Sequence, residues 1–144
     1  MGEFESLSEM DSDRLTKLLS YAEQLANDEL SATLDGSMAD IEVIQQLIDD
    51  EVAQPETIEM QCIGLALGQV LVSDRDEFNW WIRDDGVNRE VCIRYKESDI
   101  TLMPQQVFAE AMEDNDGEVD VAMLYDTLVA ELEQQCSEIN EYLY

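Results

Sequence analysis

Apolar residues recur at helical spacing along most of the chain and at strand spacing over one central stretch. Leu15, Leu18, Leu19, Ala22, Leu25 and Ala26 follow a helical period behind Ser12, which is suited to an N-cap, and predict a helix over about 12–30. Residues 1–10 show no clear period and are expected as a lead-in to one domain over 11–144. Ser37 with Asp40 resembles a capping box, and Ile41, Ile44, Leu47 and Ile48 make the next apolar stripe, ending near Glu51. Pro55 fits the first position of a third helix, carried by Ile58, Cys62, Leu65, Ala66 and Val70 to about Leu71. Gly64 and Gly68, four apart on one face, predict close packing of another element there.

The period changes at Phe78. Phe78-Asn79-Trp80-Trp81-Ile82-Arg83 is aromatic and β-rich, and Asp84-Asp85-Gly86 is a turn signal. Val91, Ile93 and Tyr95 alternate with Cys92, Arg94 and Lys96, which completes a β-hairpin, and Ile100-Thr101-Leu102 reads as a third short strand. Pro104 opens a helix through about Glu113 with Val107, Phe108 and Ala111 inward. After a loop from Asp114 to Gly117, Val121, Leu124, Leu128, Leu132, Cys136, Ile139 and Leu143 predict a long amphipathic final helix. Helices, a small meander, then helices is an α+β order. The fold expected is helices packed on an antiparallel β-meander of about three strands.

Charge changes this picture most. The chain holds 35 Asp+Glu against 7 Lys+Arg and no histidine, a formal net charge of -28 in 144 residues. Its hydrophobic fraction of 45% separates it from disordered chains, which pair high charge with low hydrophobicity. A globule of this size is roughly 38 Å across. Duplex DNA carries one charge per ~1.7 Å of axis, so an equal length holds about 22. Five of the seven basic residues, Arg75, Arg83, Arg89, Arg94 and Lys96, fall in the predicted β region, so the helices are more acidic still.

The missing groups exclude most chemistry. Without histidine there is no Ser-His or Cys-His nucleophile pair and no imidazole ligand. There is no P-loop and no GxGxxG, and the net field repels phosphorylated substrates. No enzyme activity and no cofactor are expected. Cys62, Cys92 and Cys136 are odd in number and scattered, which reads as buried thiols in a reducing cytosol. Met1-Gly2-Glu3-Phe4-Glu5-Ser6 matches the bare myristoylation pattern but lacks a polybasic second signal. No run of eighteen apolar residues predicts a membrane span, and the acidic N-terminus is unlike a secretory leader. A cytoplasmic protein is expected.

Asp114-Asn115-Asp116-Gly117-Glu118-Val119-Asp120 resembles the start of an EF-hand loop. Alignment on Gly117 puts Met112 and Met123 at the first and twelfth ligand positions, where calcium needs oxygen, so a solvated acidic turn without metal is expected.

The stretch from about Cys62 to Leu132 carries Gly64-Leu65-Ala66-Leu67-Gly68-Gln69-Val70-Leu71 closing a helix, the Trp80/Trp81 strand, Asp84-Asp85-Gly86, Ile93-Arg94-Tyr95, and Pro104 opening the helix before an acidic loop. These features resemble a small bacterial domain family of unknown function, DUF3806. The resemblance implies an α+β fold and a bacterial or phage setting. It implies no activity and no functional residue.

The densest carboxylates are Asp49, Asp50 and Glu51; Asp74, Asp76 and Glu77; and Glu113, Asp114, Asp116, Glu118 and Asp120. Glu131, Glu138 and Glu141 lie on one side of the last helix. Solvated surface explains any one of them. It explains the sum less well, because designed soluble domains manage with a net charge of magnitude ~2–8. The expected function is a non-enzymatic acidic binding protein. It occludes a basic site on a partner, such as a nucleic-acid-handling enzyme or toxin, in the manner of a DNA mimic, immunity protein or anti-defence inhibitor. It does not bind nucleic acid itself. Trp80 and Trp81 are neighbours on one strand and point to opposite faces, so one is expected in the core and the other is a candidate interface anchor. The alternative is a cytoplasmic domain whose acidity is a solubility or high-salt coat.

Overall fold

A computed structural model of the chain describes every residue except 1–3, 53–56, 85, 88, 97, 99, 115–117 and 144, and the side chains of 139–143. The chain opens with β1 (Phe4–Glu5), inside the stretch expected as a lead-in. It continues through α1 (Glu9–Leu30), α2 (Asp40–Asp49) and α3 (Ile58–Asp74), then β2 (Phe78–Asp84), β3 (Arg89–Tyr95) and β4 (Thr101–Leu102), and ends with α4 (Pro104–Asp114) and α5 (Val121–Leu143). The fold is α+β, as the periodicity predicts. The sheet is antiparallel in the order β1-β2-β3-β4, so it has four strands rather than about three. The extra strand, two residues long, is too short to show a period.

Helix starts differ from expectation where side chains chose other partners. Ser8, not Ser12, caps α1: its Oγ accepts from Asp11 N at 3.1 Å, and Asp11 Oδ2 accepts from Ser8 N at 3.0 Å. Ser12 already lies in the first turn and donates its N–H to Ser8 O. The box expected at Ser37 does not form. Asp40 turns back instead and accepts from Asp35 N at 3.1 Å and Gly36 N at 2.8 Å, leaving Ala39 as an α2 cap without a side-chain bond. Pro55 lies outside the described residues; Thr57 caps α3 by accepting from Met60 N.

The middle of α3 is buried all round, with Cys62 through Gly68, Val70 and Leu71 enclosed, as befits a central helix. The two glycines explain how α4 reaches it. A Cβ on Gly64 would lie 2.9 Å from Gln105 Cα, and one on Gly68 would lie 2.6 Å from Pro104 Cγ and 2.9 Å from Trp80 Cη2. The sheet turns Phe78, Trp80 and Ile82, with Val91, Ile93 and Tyr95, toward this layer. Trp81, Cys92, Arg94 and Phe4 share the other face, where the Arg94 guanidinium lies 4.1 Å from the Phe4 ring centre and 4.7 Å from that of Trp81. On α5, Val121, Tyr125, Leu132 and Cys136 are buried, so Tyr125 joins the stripe that periodicity predicts.

Candidate functional site

Helix packing brings two of the predicted carboxylate clusters to one corner. Gln45 sits a turn before the end of α2. Its Nε2 donates to Val119 O at 2.8 Å and its Oε1 accepts from Val121 N at 2.8 Å, which ties the start of α5 to α2. The same Nε2 donates to Asp49 Oδ1 at 3.0 Å. Asp49, Asp50 and Glu51 at the end of α2 therefore share a corner with Glu118 and Asp120, all exposed. Glu113 and Asp114 end α4, and Asp114 precedes Glu118 by four residues, a reach of at most about 14 Å. Asp116 lies outside the described residues. α2, α4 and α5 contain no Lys or Arg.

The corner's field is reinforced by backbone dipoles. A helix C-terminus carries roughly half a negative charge, and an anion there is unfavourable by roughly 0.3–1 kcal/mol. Asp49 and Asp50 end α2, and Glu113 and Asp114 end α4; no basic residue occupies the last turn of any helix. These carboxylates work against local stability and deepen the negative potential at the two helix ends. Asp120 is the exception, accepting from Met123 N at 3.1 Å at the start of α5.

The cluster of Asp74, Asp76 and Glu77 ends α3 elsewhere and is diluted by cations. Arg75 bonds Glu133 of α5 at 2.6 Å and lies 3.8 Å from Asp74. Lys96 donates its backbone N–H to Glu77 O. Along α5, stepping 100° per residue, Asp120, Glu131 and Glu138 fall on one flank of the buried stripe, and Asp126 and Glu133 on the other. The first flank spaces its charges about 10–16 Å apart. A DNA strand spaces them ~3.4 Å apart. So α5 alone is sparser than a phosphate row. The Glu141 side chain lies outside the described residues.

Neither tryptophan is a bare anchor. Trp80 packs on Gly68 and donates from Nε1 to Gln69 Oε1 at 2.9 Å, so it is the inward residue. Trp81 is outward and half-covered by Arg94, whose Nε donates to Ser98 O. Cys62, Cys92 and Cys136 are free and buried; burial pushes the thiols of Cys62 and Cys92 up to about 11. Met112 is enclosed in the core rather than at a ligand position, and part of the EF-hand-like loop lies outside the described residues. Among the described residues no cluster of His, Cys, Asp or Glu is arranged to hold a metal, and no helix is long and apolar enough to cross a membrane. Sequence reasoning missed Gln45, because a lone glutamine on an amphipathic helix gives no sign of a partner 74 residues away.

These elements define a small α+β domain with a carboxylate corner. The sequence profile of the domain of unknown function DUF3806 matches residues 40–125, more than half of the chain, and the protein belongs to that family. No curated protein matches the chain. A crystal structure of a protein from Bacteroides thetaiotaomicron VPI-5482 is similar in fold, with a TM-score of 0.75 and 19% identity. The likeness covers 86% of this chain and 46% of that one, so the chain spans less than half the length of its solved relative.

Proposed function

We propose that the protein is a non-enzymatic, cytoplasmic acidic binding protein that occludes a basic site on a partner, of the kind that otherwise holds nucleic acid. The observation that carries this reading is the corner of Asp49, Asp50, Glu51, Glu118 and Asp120, with Glu113 and Asp114 ending the preceding helix α4, on a framework of α2, α4 and α5 that contains no Lys or Arg. Four of these groups stand at the negative ends of helix dipoles, where they oppose local stability. A coat that only solubilises has no need of that placement. Complementary charge raises association toward ~10⁸–10⁹ M⁻¹s⁻¹ at low salt, and screening removes the gain.

The test is capture from bacterial lysate at low and moderate salt, beside a variant carrying Asp49→Asn, Asp50→Asn, Glu113→Gln and Asp114→Asn. Recovery of a basic nucleic-acid-handling protein that duplex DNA displaces, and that the variant fails to hold, supports the reading. An empty capture at low salt, or equal capture by the variant, refutes it. Loss of structure at low salt would favour the high-salt coat instead.

A further inference from the structure

The first strand gathers cations in a chain that has few. β1 is two residues long, yet three of the protein's seven basic residues converge on it. Arg83 stands opposite Phe4 in the β1–β2 register. The Arg94 guanidinium lies 4.1 Å from the Phe4 ring centre and 4.7 Å from that of Trp81, so two aromatic rings share it. Arg89 lies 3.6 Å from Glu5. An aromatic side chain and the carboxylate that follows it thus each meet an arginine, while their backbone lies along β2 at Arg83 and Ile82. This is the chemistry of strand addition, in which main-chain pairing gives affinity and side chains give selection.

What holds β1 is separable from what holds α1. Arg89 grips Asp11 with both nitrogens, at 2.7 and 2.8 Å, and Ser8 and Asp11 cap α1 by themselves. α1 therefore stays tied to the hairpin without Glu5. Phe4 is half-buried, Glu5 is exposed, and the ion pair of Glu5 with Arg89 is about half-exposed on both sides. β1 pairs with two of the seven residues of β2, and among the described residues no strand lies beside Phe78–Trp81 on that edge. A short edge strand with half-exposed contacts opens at small cost while the core stays folded.

We propose that the edge of β2 at Ile82 and Arg83 is a docking edge for an extended segment of another protein, an aromatic residue followed by a carboxylate, and that β1 occupies this edge in cis. The observed occupant, Phe4-Glu5, defines the chemistry of the incoming one. Most of this protein's surface repels an acidic segment; the β2 edge is the exception, because Arg83, Arg89 and Arg94 stand around it. The cis strand lowers the affinity of the edge by the fraction of molecules in which it is seated. The proposal does not depend on the carboxylate corner.

Fluorescence anisotropy of a labelled peptide with the sequence of residues 2–7, Gly-Glu-Phe-Glu-Ser-Leu, tests it on the whole chain. Salt of ~0.15 M is used, where the Debye length of about 8 Å screens distant carboxylates. The parent is compared with a variant carrying Phe4→Ala and Glu5→Gln, whose own strand competes less. Saturable one-to-one binding is expected, roughly ten-fold or more tighter to the variant. Exchanging the peptide's Phe for Ala, or its second Glu for Gln, should weaken binding several-fold. Proton–nitrogen NMR locates the site. Of the two indole N–H signals, that of Trp81 should move on saturation and that of Trp80, bonded to Gln69, should not. The parent should show the same Trp81 shift at higher peptide concentration, which keeps the test decisive for a variant that folds poorly. No binding by either protein, equal affinity for both, or a shift confined to Trp80 overturns the proposal. Dimerisation of the variant without peptide binding overturns it too, and assigns the edge to strand exchange between copies. The corner carboxylates are intact in every protein used, so partner capture is unaffected and the two readings fail separately.

Discussion

Replacing Gly68 with alanine should destabilise the protein, although alanine is the better helix former. At an exposed helical site the exchange gains about 1 kcal/mol. Here the added Cβ would stand 2.6 Å from Pro104 Cγ, 2.9 Å from Trp80 Cη2 and 3.0 Å from Ile93 Cδ1. These belong to a proline ring, a hydrogen-bonded indole and a fully buried isoleucine, none of which can swing away freely. Overpacking of this kind typically costs 1–3 kcal/mol, and three simultaneous contacts place it toward the upper end. Net of propensity, a loss of about 1–2 kcal/mol is expected, a fall in Tm of about 3–8 °C. Urea and thermal unfolding followed by circular dichroism measure it. Trp80→Phe removes Cη2, so the double variant should be less destabilised than the sum of the two single ones. A Gly68→Ala protein more stable than the parent would refute the close approach of α3 to α4 and the sheet.

Gln45→Ala should cost about 1–3 kcal/mol by freeing the buried-edge groups of Val119 and Val121, and hydrogen exchange should rise first at the Val121 amide. The fourfold corner variant at Asp49, Asp50, Glu113 and Asp114 should gain stability by roughly 0.3–1 kcal/mol per group in low salt, seen as a higher urea midpoint, while losing partner affinity. Burial pushes the Asp40 carboxyl above its ordinary value of 3.8. The native state therefore holds the proton more tightly than the unfolded chain, and this contribution to stability is full below 3.8 and lost as pH rises through the native value. Asp40→Asn should flatten that part of the pH profile of the urea midpoint; an unchanged slope would assign it to other groups.

The alternation of Val91, Ile93 and Tyr95 and the 3.6-residue stripes were legible because each reports burial of one face, a local property of the chain. The Gly64 and Gly68 pair was legible for the same reason: missing side chains on one face mark a close neighbour, here Pro104 and Gln105. Caps were less so. Ser12 and Ser37 have the right chemistry, yet Ser8 found its partner in Asp11, and Asp40 was drawn into the preceding loop. A cap is a competition among nearby donors and acceptors, and the winner depends on how the loop packs.

The sequence by itself determined the α+β order, the family and the sign of the protein's field, since composition and periodicity need no third dimension. Only the tertiary structure decided where that field is strongest. It joined residues 49–51 to 118–120 through Gln45 and set Arg75 among the carboxylates of a second cluster. Net charge is a sum over residues, whereas potential depends on distance, and distances between residues far apart in sequence exist only after folding.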